Sequence, residues 1–483
     1  MAINTFGFLA FFICVFIAYY FLSKNRATIQ NVWLLLASFL FYAIADFKMI
    51  IIPIIATILF YFIGIKIYKT KNTPPHSHIE GGWKATAYTV LGIVLGVGAL
   101  IYFKYFNFFI QSFSELFNRI GLHTNPQTFN IILPVGISFF TFKLMSYVIE
   151  IRRGTIEPCK DIVAFSTYVA FFPTLLSGPI DRPKAFISQL KQSRTFDYAL
   201  AVDGCKQVLW GMIKKMLVAD RIAVFIDDVW LDVGSQSGFA LLMAAILYSF
   251  QIYCDFSGYS DMAIGVSKIL GLNIAKNFNY PYFARNISEF WRKWHMSLTS
   301  WFTDYIYIPL GGNRKGTFRT IINTLIVFTV CGLWHGASWT FVLWGFVNGL
   351  LFIPLLLQKH PKKYKGEALH LNIRTIVRIL ITFMLATICW VAFRAPDLNT
   401  LLEYFSALFS NDLGIDIRML PNVGVLFLAV VIVMEWLKRN DEYPLQNLRI
   451  SRYSFVRICF YALLFIITYT YRGNATTFIY AGF

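Results

Sequence analysis

IINTLIVFTVCGLWHGASWTFVLWGFVNGLLFIPLLL, residues Ile321 to Leu357, is apolar almost throughout and is interrupted at Gly332-Leu333-Trp334-His335-Gly336-Ala337-Ser338. As one helix it would run roughly 55 Å, well beyond the roughly 30 Å of a bilayer's hydrocarbon. It is therefore expected to bend at the glycines into two legs that return to one side, which carries His335 into the membrane. Similar runs recur from end to end: Thr5 to Leu22, Asn31 to Ala45, Met49 to Ile67, Ala87 to Phe106, Ile131 to Glu150, Val202 to Ile226, Phe239 to Leu270, Ile373 to Phe393, Met419 to Leu437 and Val456 to Thr470. The expected fold is all-α, a single polytopic domain over 1–483 with about a dozen spans and re-entrant segments.

Composition excludes the soluble alternative. Of 483 residues, 57% are hydrophobic and 14% charged, against about 25% charged in soluble domains, so the chain cannot clothe itself in a solvated surface. The net charge of +18 would suggest nucleic acid in a soluble protein. Here the cations sit in short loops between apolar runs and report orientation, so no nucleic-acid partner is expected. Lys24 and Arg26, Lys66 to Lys84, Arg152 to Lys160, Arg182 to Arg194, Lys359 to Lys365, and Lys438 to Arg452 are assigned to the cytoplasm. The acidic Asp227–Asp232 connection and the Asn411–Arg418 connection are assigned outside, which turns both chain ends outward. Seven scattered cysteines without a Cys-x-x-Cys pair argue against a disulfide framework, and no metal site is expected. Thr5–Leu22 lacks a basic region before it and a cleavage site after it, and reads as a retained span.

Asp161 to Pro179 breaks the alternation. It is apolar, has basic loops on both sides, and ends in Phe171-Phe172-Pro173-Thr174-Leu175-Leu176-Ser177-Gly178-Pro179, whose prolines and glycine interrupt a helix. Broken backbone at membrane depth survives only inside protein or beside a water-filled cavity. A re-entrant segment and a kinked helix both fit.

Several polar residues enter this apolar frame. A histidine at membrane depth is a functional group facing a cavity or a helix-break residue bonded to a carbonyl; both readings fit His335. Cys331, four residues earlier, would share a helical face with it as a thiol and imidazole pair. In Asn286 to Tyr305, Trp291, Trp294, His295, Leu298, Trp301, Phe302 and Tyr305 recur at helical spacing, which predicts an amphipathic helix at the cytoplasmic interface with His295 on its aromatic side. The glycine-rich turn Leu310-Gly311-Gly312-Asn313-Arg314-Lys315-Gly316 offers backbone amides and two cations to a phosphate-bearing donor, or anchors a cytoplasmic loop. In Gln251 to Asp261, the carboxylates Asp255 and Asp261 are six residues apart and point to different faces, which excludes a shared acid/base dyad. With Ser257 and Tyr259 they read as a polar network lining a cavity.

Taken together, these segments resemble the membrane-bound O-acyltransferase family, in particular its bacterial polysaccharide branch. The resemblance rests on Gln251 to Asp261, Phe290-Trp291-Arg292-Lys293-Trp294-His295-Met296-Ser297-Leu298, Tyr307 to Gly316, and Gly332 to Trp339, in the family's order. It implies a funnel-like fold with a central tunnel between a cytoplasmic donor and an external acceptor, a catalytic core over 87–394, His335 as catalytic histidine, and His295 as a second functional residue. Trp334, Asp255, Ser257, Tyr259, Asp261, Trp291, Arg292, Trp294, Asn313, Arg314 and Lys315 become tunnel or donor-binding residues. It further implies acetyl-CoA or a similar thioester as donor substrate without a tightly bound cofactor, a polysaccharide acceptor, an extracytoplasmic esterase-like (SGNH) partner, and a bacterial cytoplasmic membrane location. The ending Phe478-Ile479-Tyr480-Ala481-Gly482-Phe483 resembles one in which a tyrosine relays the acyl group. This casts 471–483 as an external tail with Tyr480 as a relay or an interfacial aromatic anchor. A D-alanyl-type transferase using a carrier protein and a proton-coupled transporter are the other readings considered.

Overall fold

The computed structural model describes residues 3–23, 26–71, 78–125, 128–358, 372–448, 450–476, 478 and 479. Among these, helices carry the architecture, and seven are long and apolar enough to cross a bilayer: Ala27–Asp46, Ile51–Lys71, Gly82–Arg119, Gly238–Ile269, Gly316–His335, Trp339–Leu356 and Ile373–Arg394. Phe6–Leu22, Asn422–Leu437 and Ser454–Thr470 are shorter apolar helices. The chain is thus an all-α polytopic membrane protein, and every run expected to span is largely helical. Ile321 to Leu357 forms two legs, Gly316–His335 and Trp339–Leu356. The second leg starts where the Ser338 side chain accepts the Thr340 N–H, a standard N-cap.

The chain divides into two compact units, residues 1–201 with 267–275, and residues 202–266 with 276–483. In the first unit the segment expected to be re-entrant is indeed broken. Helix Ile162–Ala170 stops at Phe171, and a single turn, Phe172–Leu175, follows. Protein satisfies the freed backbone: the Phe172 N–H donates to Ser38 Oγ at 3.1 Å. Fully buried Lys143 donates to Thr174 Oγ1 at 2.8 Å and to the Tyr168 carbonyl at 3.2 Å, which ties the break to helix Ile137–Arg153.

In the second unit, helix Tyr198–Met212 continues through a π-helical stretch, Ile213–Ala219, into Asp220–Leu231. It lies against the long helix Gly238–Ile269. The two meet along a seam of small residues: a Cβ at Gly211 would collide with the Gly258 carbonyl, and one at Gly265 with the Gly204 carbonyl. Only missing side chains permit so close an approach, and in lipid such seams supply much of helix association. The seam brings Lys214 and Lys215 against Asp255, Ser257 and Asp261, so the ion pairs described below follow from it.

Candidate active site

The stretch carrying the second histidine departs from expectation. The spacing of Trp291, Trp294, His295, Leu298, Trp301, Phe302 and Tyr305 predicts one interfacial helix. The structure instead has helix Ile287–Lys293, a break at Trp294 and His295, and helix Met296–Phe302. His295 has φ 40°, a left-handed conformation unusual for a residue with a side chain, and such strain of about 1–3 kcal/mol persists only where the surroundings fix it. The fixing residue is Asn277. Its carbonyl accepts the Met296 N–H at 2.8 Å and its Oδ1 accepts from Ser297 Oγ at 2.6 Å, while its Nδ2 donates to Ser260 Oγ at 3.3 Å. Trp291, Trp294, Leu298, Trp301 and Phe302 are buried inside protein, Tyr305 is half-buried, and His295 is 1% exposed. The aromatic stripe is therefore core and not a membrane-surface face.

The start of this segment is equally well fixed. Asn286 caps it by accepting the Glu289 N–H at 2.8 Å. Glu289 is held by Arg285 at 3.0 and 3.1 Å and by Lys293 at 3.1 Å. Burial alone would raise the Glu289 carboxyl, but the hydrogen bonds from Arg285 and the charge of Lys293 outweigh it and hold it below the usual range.

His335 closes its helix and is 2% exposed. Its ring lies 4.9 Å from Trp334, 5.1 Å from Trp344 at a right angle, and 5.2 Å from Phe393. The Trp334 ring is also 6.1 Å from His295, which itself meets Phe256 edge-on at 4.7 Å. One indole thus bridges the two histidines. Trp291 (5.7 Å from Trp344), Trp390 (5.6 Å from Trp344) and Trp294 (4.8 Å from Trp390) extend the aromatic chamber. The indole N–H groups of Trp291 and Trp344 are buried there without a protein acceptor among the described residues, an arrangement that native interiors reserve for water or a ligand.

A cavity of about 250 Å³ adjoins this chamber, lined by Trp291, Arg292, Phe328, Cys331 and Tyr307 among others. Cys331 lies one turn before His335 in the same helix, whereas His335 itself stands behind the aromatic rings and does not line that cavity. Arg292 is exposed. Tyr307 also packs beneath the turn containing Gly311 (φ 106°) and Gly312 (φ 56°), where Asn323 Nδ2 donates to the Gly312 carbonyl at 2.9 Å. Asn313, Arg314 and Lys315 stay exposed on that turn, away from the buried histidines.

The Asp255–Asp261 segment is a polar network, but its main partners went unnoticed in the sequence. Lys214 Nζ is 2.6 Å from Asp261 and 2.9 Å from Ser257 Oγ. Glu435, 4.0 Å from Lys214, accepts from Tyr253 OH at 2.9 Å. Lys215 pairs with Asp255 at 2.7 Å and Asp220 at 2.8 Å. A cavity of about 20 Å³ beside Lys214, Asp261 and Glu435 has room for roughly one water. Tyr259 packs against Phe478 with rings 4.9 Å apart. The missed signal was plain: Lys214 and Lys215 stand inside Val202–Ile226 and Glu435 inside Met419–Leu437, where charges demand partners. Residues 471–476, 478 and 479 dock onto this network, while Tyr480, the expected relay, lies outside the described residues. No cluster of three or more metal-ligating side chains is present among the described residues.

Two histidines, one at a break between helices and one at a helix end, thus share one buried aromatic chamber. The sequence profile of the membrane-bound O-acyltransferase family matches residues 159–361. The chain is 36% identical over 451 residues to the probable alginate O-acetylase AlgI of Pseudomonas aeruginosa, covering 91% of this chain and 82% of that protein. It is 32% identical over 423 residues to the peptidoglycan O-acetyltransferase of Helicobacter pylori (82% and 76% covered). With the teichoic acid D-alanyltransferase of Bacillus subtilis it shares 30% identity over 266 residues (53% and 67% covered). The chain belongs to the membrane-bound O-acyltransferase family and is an O-acyltransferase, which sets the transporter reading aside.

Proposed function

We propose that this protein moves an acyl group, acetyl in the first place, from a cytoplasmic thioester such as acetyl-CoA across the membrane to a hydroxyl destined for a cell-surface polysaccharide. The observation that carries the reading is the pairing of His335 and His295 around Trp334, at two helix breaks. An imidazole is matched to proton transfer near neutral pH. His335 accepts the proton of the attacking hydroxyl as its oxygen bonds to the thioester carbonyl carbon. The C–S bond then breaks, and the leaving thiolate takes up the proton. His295 is the second functional polar group beside the reacting atoms.

The cavity along Arg292, Trp291 and Cys331 suits an extended thioester arm, and the unpaired indole N–H groups of Trp291 and Trp344 suit an acyl oxygen. Arg314 and Lys315, with the amides of the Gly311–Gly312 turn and Asn313, offer charge to the donor's phosphates on the cytoplasmic face. Trp294 and Trp334 wall the tunnel, and Asp255, Ser257, Tyr259 and Asp261 line its acceptor side. Tyr480 is assigned the relay of the acyl group in this reading, on the likeness of the chain's ending. An SGNH-type extracytoplasmic partner completes delivery to the polymer, and the protein resides in the bacterial cytoplasmic membrane with both ends outside. Acetyl is favoured over D-alanyl because the acetyl-transferring relatives match far more of the chain.

The test is vesicle-sided. Labelled acetyl-CoA presented to the cytoplasmic face of reconstituted vesicles is expected to yield label in an ester on the opposite side. Label that stays on the thioester whichever face receives it would refute the proposal.

A further inference from the structure

The segment after Ser454–Thr470 turns back along the second unit and is held by polar bonds. Arg221 Nε donates to the Tyr471 carbonyl at 2.6 Å, the Gly473 N–H to the Met216 carbonyl at 2.9 Å, and the Ile479 N–H to Asp255 Oδ2 at 2.8 Å. Thr476 Oγ1 donates to Asp220 Oδ1 at 2.6 Å. At Gly473 there is no space for a side chain: a Cβ would sit 2.7 Å from the Asp220 carbonyl carbon and 2.8 Å from the Arg221 nitrogen. Phe478 lies 4.9 Å from Tyr259 and 5.9 Å from Phe256, and Phe256 in turn lies 4.7 Å from His295.

Lys215 is the node of this arrangement. Its ammonium reaches Asp255 at 2.7 Å, Asp220 at 2.8 Å, and the carbonyl and hydroxyl of Thr476 at 3.3 and 3.4 Å. An ammonium has three N–H groups. Two serve the carboxylates and the third is taken up by Thr476, while both carboxylates accept further bonds from the segment. A buried ion is costly unless its hydrogen bonds are met, so the cluster is complete only with the segment in place. The segment itself is only half covered at Gly473, Thr476, Phe478 and Ile479. Ions on one edge retain it, not burial on all sides.

We propose that Lys215, Asp220 and Asp255 are positioning residues that lash residues 471–476, 478 and 479 beside Phe256, so that this strap forms one wall of the acceptor's approach to His295 and His335. The proposal rests on the acyl-transfer reading of those histidines. A strap fastened in this way can be displaced without unpacking the helices beneath it.

The experiment follows amide hydrogen exchange of the full-length protein, with acetyl transfer to glycerol as a minimal hydroxyl acceptor. Gly473→Val and Thr476→Val, which alter only the strap, are expected to abolish protection across 471–479 and leave exchange elsewhere unchanged. The KM for glycerol rises by at least about tenfold, as displacing a positioning group does, while the KM for acetyl-CoA and its acceptor-independent hydrolysis stay as they were. Lys215→Met also loses protection across the strap, with a lower melting temperature because it strands the buried carboxylates of Asp220 and Asp255, and Lys215→Arg restores both. Retained protection in the Gly473→Val/Thr476→Val double variant overturns the proposal, as does lost protection with an unchanged glycerol KM, or hydrolysis falling in parallel with transfer. Normal wild-type protection without any acyl transfer supports the lashing and refutes the acyl-transfer reading instead.

Discussion

Replacing His335 by glutamine separates its chemistry from its packing. The ring is 2% exposed and has aromatic neighbours at 4.9, 5.1 and 5.2 Å, so His335→Ala would empty a well-packed site, at a stability cost of the 2–5 kcal/mol order seen for large-to-small core changes (about 3 as a central figure). Glutamine fills most of that volume and keeps a hydrogen-bonding group, but it cannot take up a proton. General-base assistance is worth about 10² to 10⁴ in rate, or roughly 2.7–5.4 kcal/mol of barrier at about 1.36 kcal/mol per decade. The expected outcome is a protein with near-native thermal stability in detergent whose transfer of labelled acetyl falls by about 10² or more. Measuring both quantities on one preparation is essential. Transfer at the wild-type rate in a stable His335→Gln protein would refute the assignment of His335 as the base, and equal loss of stability and activity would leave packing as its role.

Other outcomes follow from the same geometry. Removing the Lys214 ammonium (Lys214→Met) takes the cation from buried Glu435 and half-buried Asp261 and is expected to cost up to about 3 kcal/mol. The added change Asp261→Asn recovers part of that loss in a thermal-shift assay. Gly211→Leu drives a side chain into the Gly258 backbone and should cost more than the roughly 1–3 kcal/mol of ordinary overpacking, seen as loss of the monodisperse peak in size-exclusion chromatography. Arg314→Ala with Lys315→Ala is expected to raise the KM for acetyl-CoA and leave kcat unchanged, because the pair is placed to meet donor phosphates before reaction. Glu289 has its folded-state pKa lowered by Arg285 and Lys293, so its stabilisation is full above the unfolded carboxyl value of about 4.3 and is lost as pH falls through the folded value. An acid melting series should show this loss in the wild type and a flatter profile in Glu289→Gln.

Periodicity and length made the membrane frame legible. Ile321–Leu357 was too long to remain one helix, and the bend fell where the glycines allowed it. The interrupted segment before Pro179 was likewise visible in its prolines and glycine. The interruption at His295 was not legible, because the aromatic spacing on either side is helical and the constraint comes from Asn277, which is remote in sequence and adjacent in space. For the same reason the carboxylates of the Asp255–Asp261 segment were recognised as polar lining while Lys214 and Lys215, their partners on another helix, passed as ordinary members of an apolar run. The division into two units leaves no mark on composition, since no linker-like stretch separates them.

The small-residue seam between Tyr198–Met212 and Gly238–Ile269 has a mechanical consequence. With the carbonyls of Gly204 and Gly258 standing where side chains would be, neither helix can rotate or slide against the other without collision. The pair acts as a stiff spine, whereas the interruptions of the backbone lie elsewhere, at the left-handed turn of His295 and the Gly336–Ser338 elbow. On the proposed function, the base and its companion imidazole stand at those interruptions and not on the spine, so a change of backbone there moves the chemistry with it.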